Sequence, residues 1–142
     1  MKDTLTSLEG LIIDIVASFP EGIGVNQLSR KLKGKVSKVK LIKEIKKLSD
    51  LGLLYITRDL RHKQRLLIKA SEQVLQICRV FSSNNFAKFE KWEVEVISAK
   101  IVNLVSCYLD WAEKLSDPYL ISYLKYKIIS EFSGLINKIK EV

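Results

Sequence analysis

The stretch Val36-Ser37-Lys38-Val39-Lys40-Leu41-Ile42-Lys43-Glu44-Ile45-Lys46-Lys47-Leu48-Ser49-Asp50-Leu51-Gly52-Leu53-Leu54 decides how this chain folds. Leu41, Ile45 and Leu48 recur at helical spacing and form one core stripe, with Val39, Ile42 and Leu51 flanking it. Ser37 is a good N-cap, since its hydroxyl can accept from an orphan amide of the first turn. Gly52 can adopt the left-handed conformation that ends a helix. The spacing therefore predicts a helix over 37–51. Lys40, Lys43 and Lys47 recur three and four residues apart on another face.

Working outward, Leu5, Leu8, Leu11, Ile12, Ile15, Val16 and Phe19 predict a first helix with a broad buried face, stopped by Pro20-Glu21-Gly22. Ile23-Gly24-Val25 reads as a short extended piece. Asn26 is placed to cap a second helix, 26–33, with Leu28 and Leu32 inward and Lys33-Gly34-Lys35 as the turn. Downstream, Leu53–Thr57 and Leu66–Lys69 are apolar runs of strand length around the basic loop Arg58-Asp59-Leu60-Arg61-His62-Lys63-Gln64-Arg65. Ser71 caps a fourth helix carrying Val74, Leu75, Cys78 and Phe81.

Charge follows the same map. The formal net charge is +8, but residues 30–65 hold thirteen Lys/Arg against three acids, a net of +10. The remainder is slightly acidic. Such clustering is the electrostatic footprint of a polyanion partner.

The order of elements, and above all residues 36–54, resembles the winged helix-turn-helix domains of transcription regulators, most closely the MarR (multiple antibiotic resistance regulator) family. The resembling stretch is Gly24 to Ser71. It implies a mainly α fold with a small β-hairpin wing; the apolar stripes of the second half add a C-terminal helical dimerisation region. His62-Lys63-Gln64-Arg65 stands where that family carries an Asp-x-Arg run, so Arg65 or Lys63 would take the arginine's place.

In such a domain the second helix of the pair enters the major groove, its N-terminal residues reaching base edges. Ser37, Lys38, Lys40, Lys43 and Lys47 are then the candidate contacts on helix 37–51, with Lys35 before it. Asn26 and Gln27 are candidates for phosphate on the preceding helix. Arg58, Arg61, His62, Lys63 and Arg65 are candidates on the wing, where arginine reads a narrow minor groove. A recognition helix with lysine but no Arg, Asn or Gln favours phosphate over base contact.

The second half opens on Ser82-Ser83-Asn84-Asn85, a turn signal, which divides the chain into 1–83 and 84–142. A long helix, about 87–115, carries Val94, Ile97, Ile101, Leu104, Tyr108, Trp111 and Leu115 at alternating spacings of three and four. A second stripe holds Val102, Val105, Leu109 and Ala112. After Asp117-Pro118 a last helix presents Ile128, Phe132 and Leu135 among its apolar positions. The first stripe, with these three, is the expected homodimer interface. The aromatics Trp92, Trp111, Tyr108, Tyr119, Tyr123 and Tyr126 are more simply core or interface, although the resemblance implies a small-molecule effector pocket.

No cofactor is expected. Cys78 and Cys107 have no partner at metal-ligand spacing, and His62 is the single histidine. No catalytic constellation or phosphate-cradling glycine loop is present, so an enzyme is not expected. Without a membrane span or signal-peptide layout, the expectation is a cytoplasmic protein. Two alternatives to a dimeric regulator of double-stranded DNA stay open. One is an architectural DNA binder of low sequence preference; the other is a winged-helix protein–protein module.

Overall fold

The computed structural model describes residues 4–59, 61, 65–84 and 93–141. Two compact units divide it, Leu5–Cys78 and a second built from Arg79–Val142, so the boundary falls inside a helix.

The first unit is a winged helix-turn-helix. Its order is α1 (Ser7–Ala17), α2 (Val25–Lys31), α3 (Lys38–Asp50), β1 (Leu54–Arg58), β2 (Leu66–Ala70) and the start of α4 (Glu72–Asn84). Thr6 and Glu9 close a capping box on α1: the Thr6 hydroxyl accepts from the Glu9 amide at 3.1 Å, and Glu9 Oε1 accepts from the Thr6 amide at 2.9 Å. Ser37 caps α3 as expected, accepting from the Lys40 amide at 3.2 Å. At its other end the Leu53 amide donates to Leu48 O and the Gly52 amide to Ser49 O, each at 3.0 Å. With Gly52 at φ 79° this is a Schellman stop. The paired apolar groups of that motif, Leu48 and Leu53, are both fully buried.

The hairpin is antiparallel, with Ile56 opposite Ile68. A third, one-residue strand joins it: Ile23 pairs with Ile68 through two backbone bonds, of 3.0 and 2.8 Å. That bridge changes where α2 begins. Asn26 was expected to cap it, but Gly24 is the N-cap and its carbonyl accepts from the Leu28 amide at 2.9 Å. Ile23 is held extended by Ile68, so the chain turns helical immediately afterwards, and Asn26 lies exposed in the first turn.

The core of this unit joins Ile12, Ile13 and Val16 to Leu28, Leu41, Ile45, Leu48, Leu54 and Ile68, all buried. Glu9 is buried among these elements, 1% exposed, and its Oε2 lies 3.0 Å from Lys47 Nζ on α3. Burial pushes the Glu9 carboxyl up, but the Thr6 amide and hydroxyl and the Lys47 ammonium together outweigh it, and the net shift is downward.

In the second unit Asp117 opens the last helix, its Oδ1 accepting from the Tyr119 amide at 2.8 Å. Helices α5 (Val94–Lys114) and α6 (Pro118–Glu141) pack against each other. Pro118 occupies the first helical position, where its missing N–H costs nothing. The long helix was expected from about 87; residues 87–92, Trp92 among them, lie outside the described residues. Among the described residues no helix is long and apolar enough to cross a membrane.

A group whose folded pKa is depressed stabilises above its unfolded pKa and loses that contribution as pH falls through the folded value. Part of the acid destabilisation of this chain below about pH 4.5, the carboxyl's ordinary value, therefore belongs to Glu9. Urea unfolding of Glu9→Gln should show a loss on the order of 1 kcal/mol at neutral pH. It should also show a shallower decline of stability between neutrality and acid than the parent chain; identical pH profiles would remove Glu9 from that role.

Candidate nucleic-acid interface

The phase of α3 sets its chemistry. Leu41 and Leu48 are fully buried and Ile45 nearly so. At about 100° per residue, the side of the helix opposite them carries Val39, Lys43 and Lys46 and, in the last turn, Asp50, all exposed. Lys38 and Ile42 lie on the flank facing α2 and the hairpin. Lys40 and Lys47 lie on the other flank, where Lys47 meets Glu9.

Between α2, the start of α3 and the start of β2 is an open cleft of about 570 Å³. Its polar lining is Asn26, Gln27, Arg30, Lys38 and Arg65, with Ile42 on its wall. No acid lines it. Gly24 is what lets Arg65 reach this place: a Cβ there would stand 3.0 Å from Arg65 Nη2 and 3.2 Å from its Nε. The guanidinium thus lies over the start of α2.

The base of the wing is tied by Asp59. Its amide donates to Arg65 O at 2.9 Å, its Oδ1 accepts from the Arg61 amide at 2.9 Å, and its Oδ2 is 4.0 Å from Arg65 Nη1. Asp59, six residues before Arg65, is thus the acid at the base of this loop. Arg58, Arg61, Asp59 and Lys69 border a second cleft, with Glu21 and Gly22, on which both signs of charge meet.

The candidate residues are thus distributed unevenly. Lys38, Lys43, Arg65, Asn26 and Gln27 surround α3's outward side and the adjoining cleft. Ser37 is spent on its cap, and Lys47 on Glu9. Lys35 is exposed in the turn between α2 and α3. His62 and Lys63 lie outside the described residues. Arg30 and Lys46, together with Val39 and Ile42, were not among the candidates. A helical wheel centred opposite Leu41, Ile45 and Leu48 finds Val39 and Lys46, with Ile42 at its edge. Arg30 needs the tertiary fold.

Of the two thiols, both half-buried, Cys107 has its pKa raised, first by burial and then by the charge of Asp110. That leaves it protonated, hence a poor nucleophile, near neutral pH.

No family model and no curated protein matches this chain. Among solved structures it is similar to Lactococcus lactis ZitR, described as a zinc-responsive MarR family member, with 20% identity over 95% of this chain and 76% of that one, at a TM-score of 0.45. A mutant of the same protein gives 17% identity over 97% of this chain and 77% of that one, at 0.49. The S. aureus MepR–DNA complex gives 17% identity over 74% of this chain and 81% of the other, also at 0.49. These are likenesses at low identity, and what this chain does rests on its own residues.

Replacing Gly24 by Ala should displace the Arg65 guanidinium rather than unfold the domain, since the obstructing atoms are the end of a flexible side chain. The expected result is a change in thermal midpoint of a few degrees at most, with altered Arg65 side-chain NMR shifts. A large loss of stability would mean that Gly24 is needed for backbone reasons instead.

Proposed function

We propose that this chain is a dimeric double-stranded DNA-binding protein, acting as a transcription regulator, that inserts α3 in the major groove and sets its wing at the minor groove. The observation that carries the reading is the basic surface around the first turns of α3, ahead of the exposed Asp50 that ends the helix. Lys43 and Lys46 stand on the outward side, and Lys38, Arg30 and Arg65 continue it along the neighbouring cleft. A helix of this width fits the major groove, and the cleft's cations are spaced along its margin, where phosphates lie. Asn26 and Gln27, at the start of α2, add neutral donors on the same margin.

The reading needs two copies, because a two-fold protein engages two half-sites. The second unit supports this by what it leaves uncovered. Leu104 and Leu135, from the expected dimer set, are buried within the chain itself. Ile97, Tyr108, Trp111, Leu115, Ile128 and Phe132 are half-buried, while Val94 and Ile101 are exposed. The second stripe of α5 is more open: Val102 is 60%, Val105 42% and Leu109 55% exposed, and α6 adds Ile129 and Ile136. Large apolar side chains left exposed in number mark an interface. We place the dimer seam on it.

A second reading, an architectural binder of low sequence preference, is favoured by one observation. Every basic side chain of α3 is a lysine, a mobile point charge that suits phosphate better than a base edge. A regulator should bind one site about 10³-fold or more tighter than random duplex at fixed salt; an architectural protein should not.

Two measurements test the proposal. Affinity for duplex DNA should fall steeply with salt, and Lys43→Ala and Lys46→Ala should each lower the slope of log K against log salt by about one. Lys47→Ala should leave the slope nearly unchanged and lower stability instead, because it strands Glu9. Absence of duplex binding even at low salt would overturn the proposal. In sedimentation, the double change Val105→Glu, Leu109→Glu should yield folded monomers. A dimer that survives it would remove this seam.

A further inference from the structure

The outward side of α3 is not uniformly basic. Val39, in the first turn, is 68% exposed, and Ile42, nearly one turn later, is 50% exposed. Neither belongs to the Leu41–Ile45–Leu48 core stripe. Around them stand the exposed ammonium groups of Lys38, Lys43 and Lys46. Glu44, the one acid within the first two turns of the helix, is half-buried on another side. The result is a small apolar spot framed by cations, at the end of the helix that reaches deepest into a groove.

Few partners match such a spot. Its frame asks for anions on either side, and its centre asks for an apolar group between them. The DNA major groove supplies both: phosphates along its walls and, on its floor, the C5-methyl of thymine as the apolar group among donors and acceptors. Guanine and adenine present only N7, O6 and N6 there, and cytosine an amino group, none of which an aliphatic side chain can satisfy. We infer that Val39, with Ile42 beside it, reads thymine methyl groups and selects half-sites that carry thymine at the positions beneath the first turn of α3.

This inference rests on the DNA-binding reading above and deepens it. Lysines without Arg, Asn or Gln hold the helix against phosphates and discriminate poorly between bases. Val39 and Ile42 give the same helix a source of base preference that needs no hydrogen bond. Replacing a thymine methyl by hydrogen removes one apolar contact and should weaken binding about fourfold per methyl, the worth of one buried CH₂ group.

The experiment uses the full chain. A duplex is selected from a random-sequence 30-base-pair library, then synthesised again with deoxyuridine replacing thymidine one position at a time. Affinity is measured by fluorescence anisotropy at fixed salt for the parent chain, Val39→Ala and Ile42→Ala. Both side chains are exposed, so neither change threatens folding. The expected result is a loss of about fourfold at one or two thymines per half-site for the parent, and no further loss at those positions for the matching alanine variant. Parent binding that is indifferent to deoxyuridine overturns the inference while leaving DNA binding intact. So does an equal loss in parent and both variants, which would assign the methyl effect to other residues or to duplex shape. If no duplex is bound or enriched at low salt, the DNA-binding reading itself fails, and the inference with it.

Discussion

The burial of Leu41, Ile45 and Leu48 is the constraint on which the rest depends. A helix held by one apolar stripe has a single rotational phase. Each of these side chains gains about 1.5–3 kcal/mol from leaving water, so turning α3 by one residue, which would bring in Lys40, Glu44 and Lys47 or Ile42, Lys46 and Ser49, would cost several kcal/mol. The Ser37 cap and the Gly52 stop then fix its length at both ends. Glu9 fixes its flank by pairing with Lys47. Once phase and ends are set, the identity of the outward residues follows: Val39, Lys43, Lys46 and, at the C-terminal end, Asp50, with Lys38 and Ile42 at the edge.

The wing is coupled to this arrangement through two backbone features rather than through charge. Ile23 pairs with Ile68, which draws the chain between α1 and α2 onto the hairpin. That pairing delivers Gly24 to a place where the absence of a side chain admits Arg65. Asp59 then holds the turn that follows β1. The cationic cleft beside α3 is thus assembled from three separate segments, α2, α3 and β2, and none of them would display it alone.

Local signals carried much of the fold in advance. Ser37, Gly52, Ser71 and Pro118 each stand where cap, stop or first helical position requires them, and the apolar runs on either side of the basic loop became strands within one residue of their expected ends. The Thr6-to-Glu9 capping box is also written in local spacing. What spacing alone could not supply was anything decided by contact at a distance. The Ile23–Ile68 bridge moved the start of α2 from Asn26 to Gly24, because one paired residue leaves no periodic trace. Lys47 has the same spacing as the other lysines, and only the burial of Glu9 separates it from them. On α5 two apolar stripes run side by side, and the sequence has no means to say which one α6 covers. The structure buries Leu104 and leaves Val102, Val105 and Leu109 open.

The central claim, that the outward side of α3 and its adjoining cleft form the DNA-contacting surface, is tested most directly by NMR titration of the ¹⁵N-labelled chain with a short duplex. The account expects the largest amide and side-chain shifts at Lys38, Val39, Ile42, Lys43 and Lys46, with a second group at Arg30 and Arg65 and little change along α6. Shifts confined to α5 and α6, with α3 silent while the duplex is bound, would contradict it.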